Sequence, residues 1–180
     1  VLTRFGPLTP VKGWFADMGV DISVYKDPAW ERTDTDWPIL PWGLRNVLHY
    51  LHGRYKPEHG VWVTENGCAH EPDGQEQFDA EAAGAETFDD QRRVRFLRAH
   101  LSAVHAARAL GADVRGYFVW STLDNFEWND GYSKRFGIIR VDYRTQRRTI
   151  KASGRFLAEV IRRGGLEAPL KEEQYPGLAW

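Results

Sequence analysis

Glu65 is the first side chain whose setting suggests chemistry. It lies near the end of VWVTENG (residues 61–67), where the valines favour a strand and Asn66-Gly67 favours a turn, so the acid falls at the strand's C-terminal edge. In a parallel α/β sheet that edge is where active sites lie. A carboxylate held there on rigid backbone can act as a nucleophile, a general base or a stabiliser of a developing cation. A lone strand-end glutamate is more often a solvated acid opening a loop, and a second stretch tells against that here. Residues 120–136, WSTLDNFEWNDGYSKRF, interleave Trp120, Phe126, Trp128, Tyr132 and Phe136 with Asp124, Asn125, Glu127, Asn129 and Asp130. A pyranose has C–H patches on its faces and hydroxyls around its rim, so flat aromatics beneath and carboxylates or amides at the edge make a bed for it. The plainer reading packs the rings into a core and leaves the acids in solvent; this density of paired rings and acceptors weakens it.

The elements that must position these residues can be read from period and punctuation. Leu44, Val47, Leu48 and Leu51 repeat at helical spacing from Gly43 to near Gly53, and the strand at 61–65 follows. Residues 68–87 form a polar, acidic, glycine-containing loop, too hydrophilic to bury and long enough to reach over a site. Thr87 or Asp89 can cap the next helix, whose Val94, Leu97, Leu101 and Val104 face inward until Gly111 stops it. Residues 115–120 form a second strand, so a second C-terminal strand end, at Trp120, feeds the same face as Glu65. A last helix runs from about Ala152 to Arg163 with Phe156, Leu157, Val160 and Ile161 inward. Helix and strand alternate, with connections long enough for parallel crossovers, which predicts an α/β sheet or barrel. Before all this, residues 1–41 are broken by Gly6-Pro7, Thr9-Pro10, Asp27-Pro28 and Trp37-Pro38 and read as a long loop, and 164–180 as a C-terminal tail.

Composition bounds the partners. The chain has 180 residues and a net charge of −1, which gives no electrostatic footprint for nucleic acid or an anionic membrane surface. No apolar run reaches the roughly 20 residues that span a bilayer. Cys68 is the single cysteine, so no intrachain disulfide forms and it reads as an unpaired thiol; a cytoplasmic setting is the favoured expectation. Metal-ligand spacing, a phosphate-cradling glycine loop and a cofactor site are not evident. Eight tryptophans in an otherwise polar chain are spent on a core or on a sugar-stacking cleft.

TENG at 64–67, GYFVWSTLDNFEW at 116–128, GYSKRFGI at 131–138 and VDYRTQRR at 141–148 together resemble glycoside hydrolase family 1, the β-glucosidase family. The likeness spans about residues 37–163 in order and spacing. It implies a (β/α)8 TIM barrel, of which this chain resembles the C-terminal part: about strands 7–8 with helices 6–8 and the preceding long loop, within one domain over residues 1–180. It further implies a retaining β-glycosidase in which Glu65 is the nucleophile. Trp120 matches the platform under the terminal sugar, Glu127 and Trp128 the pair that hydrogen-bonds its outer hydroxyls, and Phe136 an apolar wall. Trp37 falls where an aromatic flanks the leaving group. Two departures, Cys68-Ala69-His70 after TENG and Trp42 where an acid is common, bear on the aglycone rather than the chemistry. Glu127 points to neutral sugars, because a carboxylate would repel a phosphate dianion in a partly desolvated pocket.

A retaining enzyme also needs an acid/base carboxyl about 5 Å from the nucleophile, which this family carries in an Asn-Glu-Pro motif. That tripeptide does not occur in the 180 residues. The expectation is therefore a C-terminal fragment, inactive alone, whose partners are a β-glycoside or oligosaccharide and the N-terminal barrel portion. Two alternatives stand beside it: a carbohydrate-binding remnant without turnover, and a structural module with neither binding nor turnover.

Overall fold

The central unit is built from two β-branched runs. In the computed structural model, which describes residues 9–10, 23–24, 28–70 and 88–170, these runs are β3 (Val61–Asn66) and β4 (Val114–Val119), paired in parallel. Two two-residue strands precede them, β1 (Thr9–Pro10) and β2 (Ser23–Val24), antiparallel to each other. Parallel pairing demands a crossover, and α2 (Gln91–Ala109) supplies it. The helix α1 (Pro41–Tyr55) packs against α2 and β3. After β4 a short antiparallel hairpin, β5 (Ile139–Val141) with β6 (Arg148–Ile150), leads into α3 (Ala152–Arg163), which also packs on α2.

Two apolar clusters join the layers. Leu48, Val63, Ala107, Ala112 and Val114 lock α1 and α2 to the helix side of the sheet, with Tyr117 against them. Cys68, Phe96 and Leu97 form the second cluster beneath the strand exits, where Phe156 of α3, Val119 and Ile138 meet it. The other face of the sheet is open among the described residues: Trp62 is 52% exposed and Phe118 54%, the two rings stacked with centroids 6.2 Å apart. Opposite Trp62 the pairing residue is Gly116, and a Cβ there would lie 2.0 Å from the indole, so only glycine lets that ring lie flat across β4.

Several expectations need correction. The first strand runs one residue past its predicted bounds, 61–65, and the second lies one residue earlier than its predicted bounds, 115–120. The first helix runs two residues past Gly53 and ends where Lys56 adopts φ +45°. Val47 faces solvent, because the buried stripe passes through Pro41, Arg45 and Leu48, and one residue's step of 100° carries Val47 out of it. By the same geometry Ile161, predicted inward, is 70% exposed while Phe156 packs on the second cluster. The loop predicted too hydrophilic to bury starts with Cys68 and Ala69, both buried; residues 71–87, Thr87 with its predicted capping role included, lie outside the described residues. Asp89 does not cap α2. Asp90 is the residue before the helix, and its carboxylate is taken by Arg93 and Ser153 instead of the helix's own amides. The hairpin β5–β6 was not predicted, its three-residue strands being too short to show an alternation.

Candidate active site

The exits of β3 and β4 lie side by side because the strands stay paired to their ends. Asn66 pairs with Val119, and the Trp120 amide donates to the Asn66 carbonyl at 3.1 Å. Tyr117 adds a side-chain tie, its hydroxyl donating to Asn66 Oδ1 at 2.5 Å; burial pushes that phenol's pKa up, so it stays a donor. Gly67 follows at the closest approach: a Cβ there would sit 1.6 Å from the Trp120 carbonyl oxygen. Glu65 therefore stands one residue from the strand end with its side chain exposed, against the start of the aromatic segment.

That segment is built on a buried anion. The Asp124 carboxylate, with no exposed surface, accepts from Lys151 Nζ (3.0 Å), Arg135 Nη1 (3.0 Å), the Gly137 amide (3.0 Å) and the Val141 amide (3.2 Å). Two cations and two amides compensate its desolvation and tie the loop to β5 and the start of α3. From this base the chain rises to Glu127 and turns through a 3-10 segment, Trp128–Asp130, closed by the Glu127 amide donating to the Gly131 carbonyl at 2.6 Å. Trp128 is left 80% exposed. The Trp120 indole N–H donates to Glu127 Oε2 at 3.4 Å, which joins ring and carboxylate across seven residues. Phe136 is buried, and Trp37 leans on it with ring centroids 6.0 Å apart at 52°.

All six residues singled out in the sequence, Glu65, Trp37, Trp120, Glu127, Trp128 and Phe136, line one cavity of about 410 Å³. Thr33, Pro38, Asn66, Gly67, Phe96 and His100 complete its wall. Of these additions, Phe96 and His100 come from the middle of α2, and no local pattern distinguishes them from ordinary helix residues. The His100 imidazole is buried, stacks on Phe96 at 3.9 Å and donates from Nδ1 to the Phe96 carbonyl at 2.8 Å. Burial pushes its pKa down to about 4, so it presents a neutral ring. Cys68, beneath the strand exit, has its thiol pushed up to about 11 by burial.

A polar clasp holds the Trp37 segment in place. The Asp34 carboxylate pairs with Arg92 of α2 at 3.3 Å and lies 3.7 Å from His70, while Lys134 donates to the Asp34 carbonyl at 2.7 Å. His70 is lowered in pKa, first by burial and then by the neighbouring Arg92. Among the described residues, no group of three or more His, Cys, Asp or Glu is placed to hold a metal ion, and no helix is long and apolar enough to cross a membrane.

Parallel strand ends that deliver a carboxylate to a cavity walled by indoles and acids define a class: part of an α/β barrel of the glycosidase kind. The chain belongs to glycosyl hydrolase family 1, whose sequence model matches residues 13–166. It is 44% identical over 165 residues to the 1,4-beta-D-glucan glucohydrolase of Thermotoga neapolitana, an alignment that covers 92% of this chain and 33% of that protein. It is 42% identical over 130 residues to the 6-phospho-beta-galactosidase of Lacticaseibacillus rhamnosus, covering 72% of this chain and 27% of that one. Among solved structures, the beta-glucosidase from Thermotoga maritima in complex with glucoimidazole superposes with a TM-score of 0.71 at 38% identity, over 84% of this chain and 32% of that chain. The chain thus spans about a third of the length of the relatives it matches.

Proposed function

We propose that this chain supplies the nucleophile and the sugar bed of a retaining β-glycosidase that hydrolyses terminal, unphosphorylated β-D-glycosyl residues, and that it forms the C-terminal part of a (β/α)8 barrel. The supporting observation is the shared cavity, in which an exposed strand-end carboxylate meets Trp120, Glu127, Trp128 and Phe136. Glu65 attacks the anomeric carbon; a carboxylate–sugar ester forms as the glycosidic C–O bond breaks, and its electron pair leaves on the aglycone oxygen. An acid from the remainder of the barrel protonates that oxygen, then as a base takes a proton from the water that cleaves the ester. Trp120 lies under the ring, Glu127 and Trp128 take its outer hydroxyls, and Trp37 flanks the leaving group. The Glu127 carboxylate favours neutral sugars over their 6-phosphates. Since Cys68 is a lone buried thiol, the site asks nothing of an oxidising compartment.

The 180-residue chain, assayed on a chromogenic β-glucoside alone and then with the N-terminal two thirds of a relative's barrel, tests this. Turnover is expected only in the completed barrel, and Glu65→Gln should lower kcat by about a thousandfold or more, as loss of an attacking group does. Turnover that survives Glu65→Gln overturns the assignment. A second reading is favoured by the lack of an Asn-Glu-Pro tripeptide in the chain: a sugar-binding module without turnover. It predicts sugar affinity unchanged by Glu65→Ala and no hydrolysis in either form.

A further inference from the structure

The segments that follow both strands converge on a single buried guanidinium that does not itself line the cavity. Arg93, in the first turn of α2 with its side chain 1% exposed, donates from Nε to the Cys68 carbonyl at 3.2 Å and from Nη2 to the carbonyls of His70 and Arg135, each at 2.8 Å. Its Nη1 is paired with the Asp90 carboxylate, which in turn accepts from the backbone amide and hydroxyl of Ser153 at the start of α3. Cys68 is three residues beyond Glu65, and Arg135 directly precedes Phe136. The two segments also meet without help, the His70 amide donating to the same Arg135 carbonyl at 3.3 Å.

Surface loops ordinarily drift relative to one another, whereas a planar fork of donors sealed from water fixes the relative placement of every acceptor it serves. We propose that Arg93 is a positioning residue that sets the spacing between the Glu65 carboxylate and the sugar bed after β4. This rests on the retaining-glycosidase reading of the cavity. A lysine could keep the charge pair with Asp90 but, as a point charge without the fork, could not hold three carbonyls in one plane. A misplacement of order 1 Å between attacking atom and bound substrate is enough to cost about a hundredfold in rate.

The test is trapping of the completed barrel with 2,4-dinitrophenyl 2-deoxy-2-fluoro-β-glucoside. Glu65 forms an ester at the anomeric carbon as dinitrophenolate leaves with the electron pair and without a proton, so the step does not draw on the acid. The first-order rate constant at saturating reagent counts only molecules that react, and partial unfolding or a lowered melting temperature does not change it. Arg93→Lys is expected to lower that constant tenfold or more while the half-saturating concentration moves by less than threefold. Arg108→Lys, exposed on the same helix, should match the wild type. Should Arg93→Lys fail to fold, the pair Arg93→Gln with Asp90→Asn, which buries no unpaired charge, is read in the same way. Wild-type rates in a folded Arg93 variant overturn the role of Arg93 alone; absence of the ester from wild-type Glu65 overturns the glycosidase reading and this proposal with it.

Discussion

At the scale of single residues, burial decides which side chains beneath the cavity remain neutral. His100 is 5% exposed and titrates at about 4, against 6.5 when unfolded. Its folded pKa is depressed, so the unfolded chain takes up the proton first as pH falls. The stability contributed by the neutral ring is fully present above pH 6.5 and is lost between there and about 4, a loss of ~2 kcal/mol by pH 5. The urea midpoint of the completed barrel should therefore fall between pH 7 and pH 5, and fall less steeply in His100→Gln; parallel slopes would refute the assignment. This histidine was not legible in the sequence. Glu65, Trp120, Glu127 and Trp128, which line the cavity, were singled out because they sit in the short TENG and GYFVWSTLDNFEW motifs. His100, Phe96 and Arg93 act through a fold that brings α2 under both exits, and their own neighbours in the chain carry no sign of it.

At the scale of elements, the two strands and three helices were legible because β-branched runs and helical periods are local. Their faces were less so. Val47 and Ile161 fit the apolar repeats as well as the buried residues do, and only the packing of α1 and α3 on α2 selects which stripe is inward. The 120–136 segment illustrates the opposite case, an acid taken for part of the sugar-facing surface. Asp124 is instead the foundation, turned away from the cavity toward Lys151 and Arg135. Asp124→Asn would remove the carboxylate that Arg135 and Lys151, the latter 1% exposed, share. Breaking a buried pair in this way costs about 3–5 kcal/mol. The expected result is a urea midpoint lowered accordingly, partly restored by adding Lys151→Met, with weaker sugar binding because Glu127 and Trp128 rise from the loop that Asp124 anchors. An Asp124→Asn protein as stable as wild type would show that the ion cluster contributes nothing net.

At the scale of the whole molecule, the described sheet has helices against one face and an aromatic pair on the other. Parallel sheets are normally covered on both faces. Under the barrel proposed above, Trp62 and Phe118 lie on the face that the rest of the barrel covers, and the outer edges of β3 and β4 are open to added strands among the described residues. The 180-residue chain by itself should elute as associated species and unfold without a sharp transition. Two substitutions separate the causes. Trp62→Lys with Phe118→Lys should reduce self-association of the isolated chain, since it removes the apolar face, and should also abolish the turnover gained when the N-terminal barrel portion is supplied, since that portion then finds no surface to close upon. Light scattering and the glucoside assay read the two effects on the same samples. A wild-type chain that runs as a monodisperse monomer and melts cooperatively would mean that this face is a finished surface, and a double variant that still completes an active barrel would mean that the added portion does not close upon it.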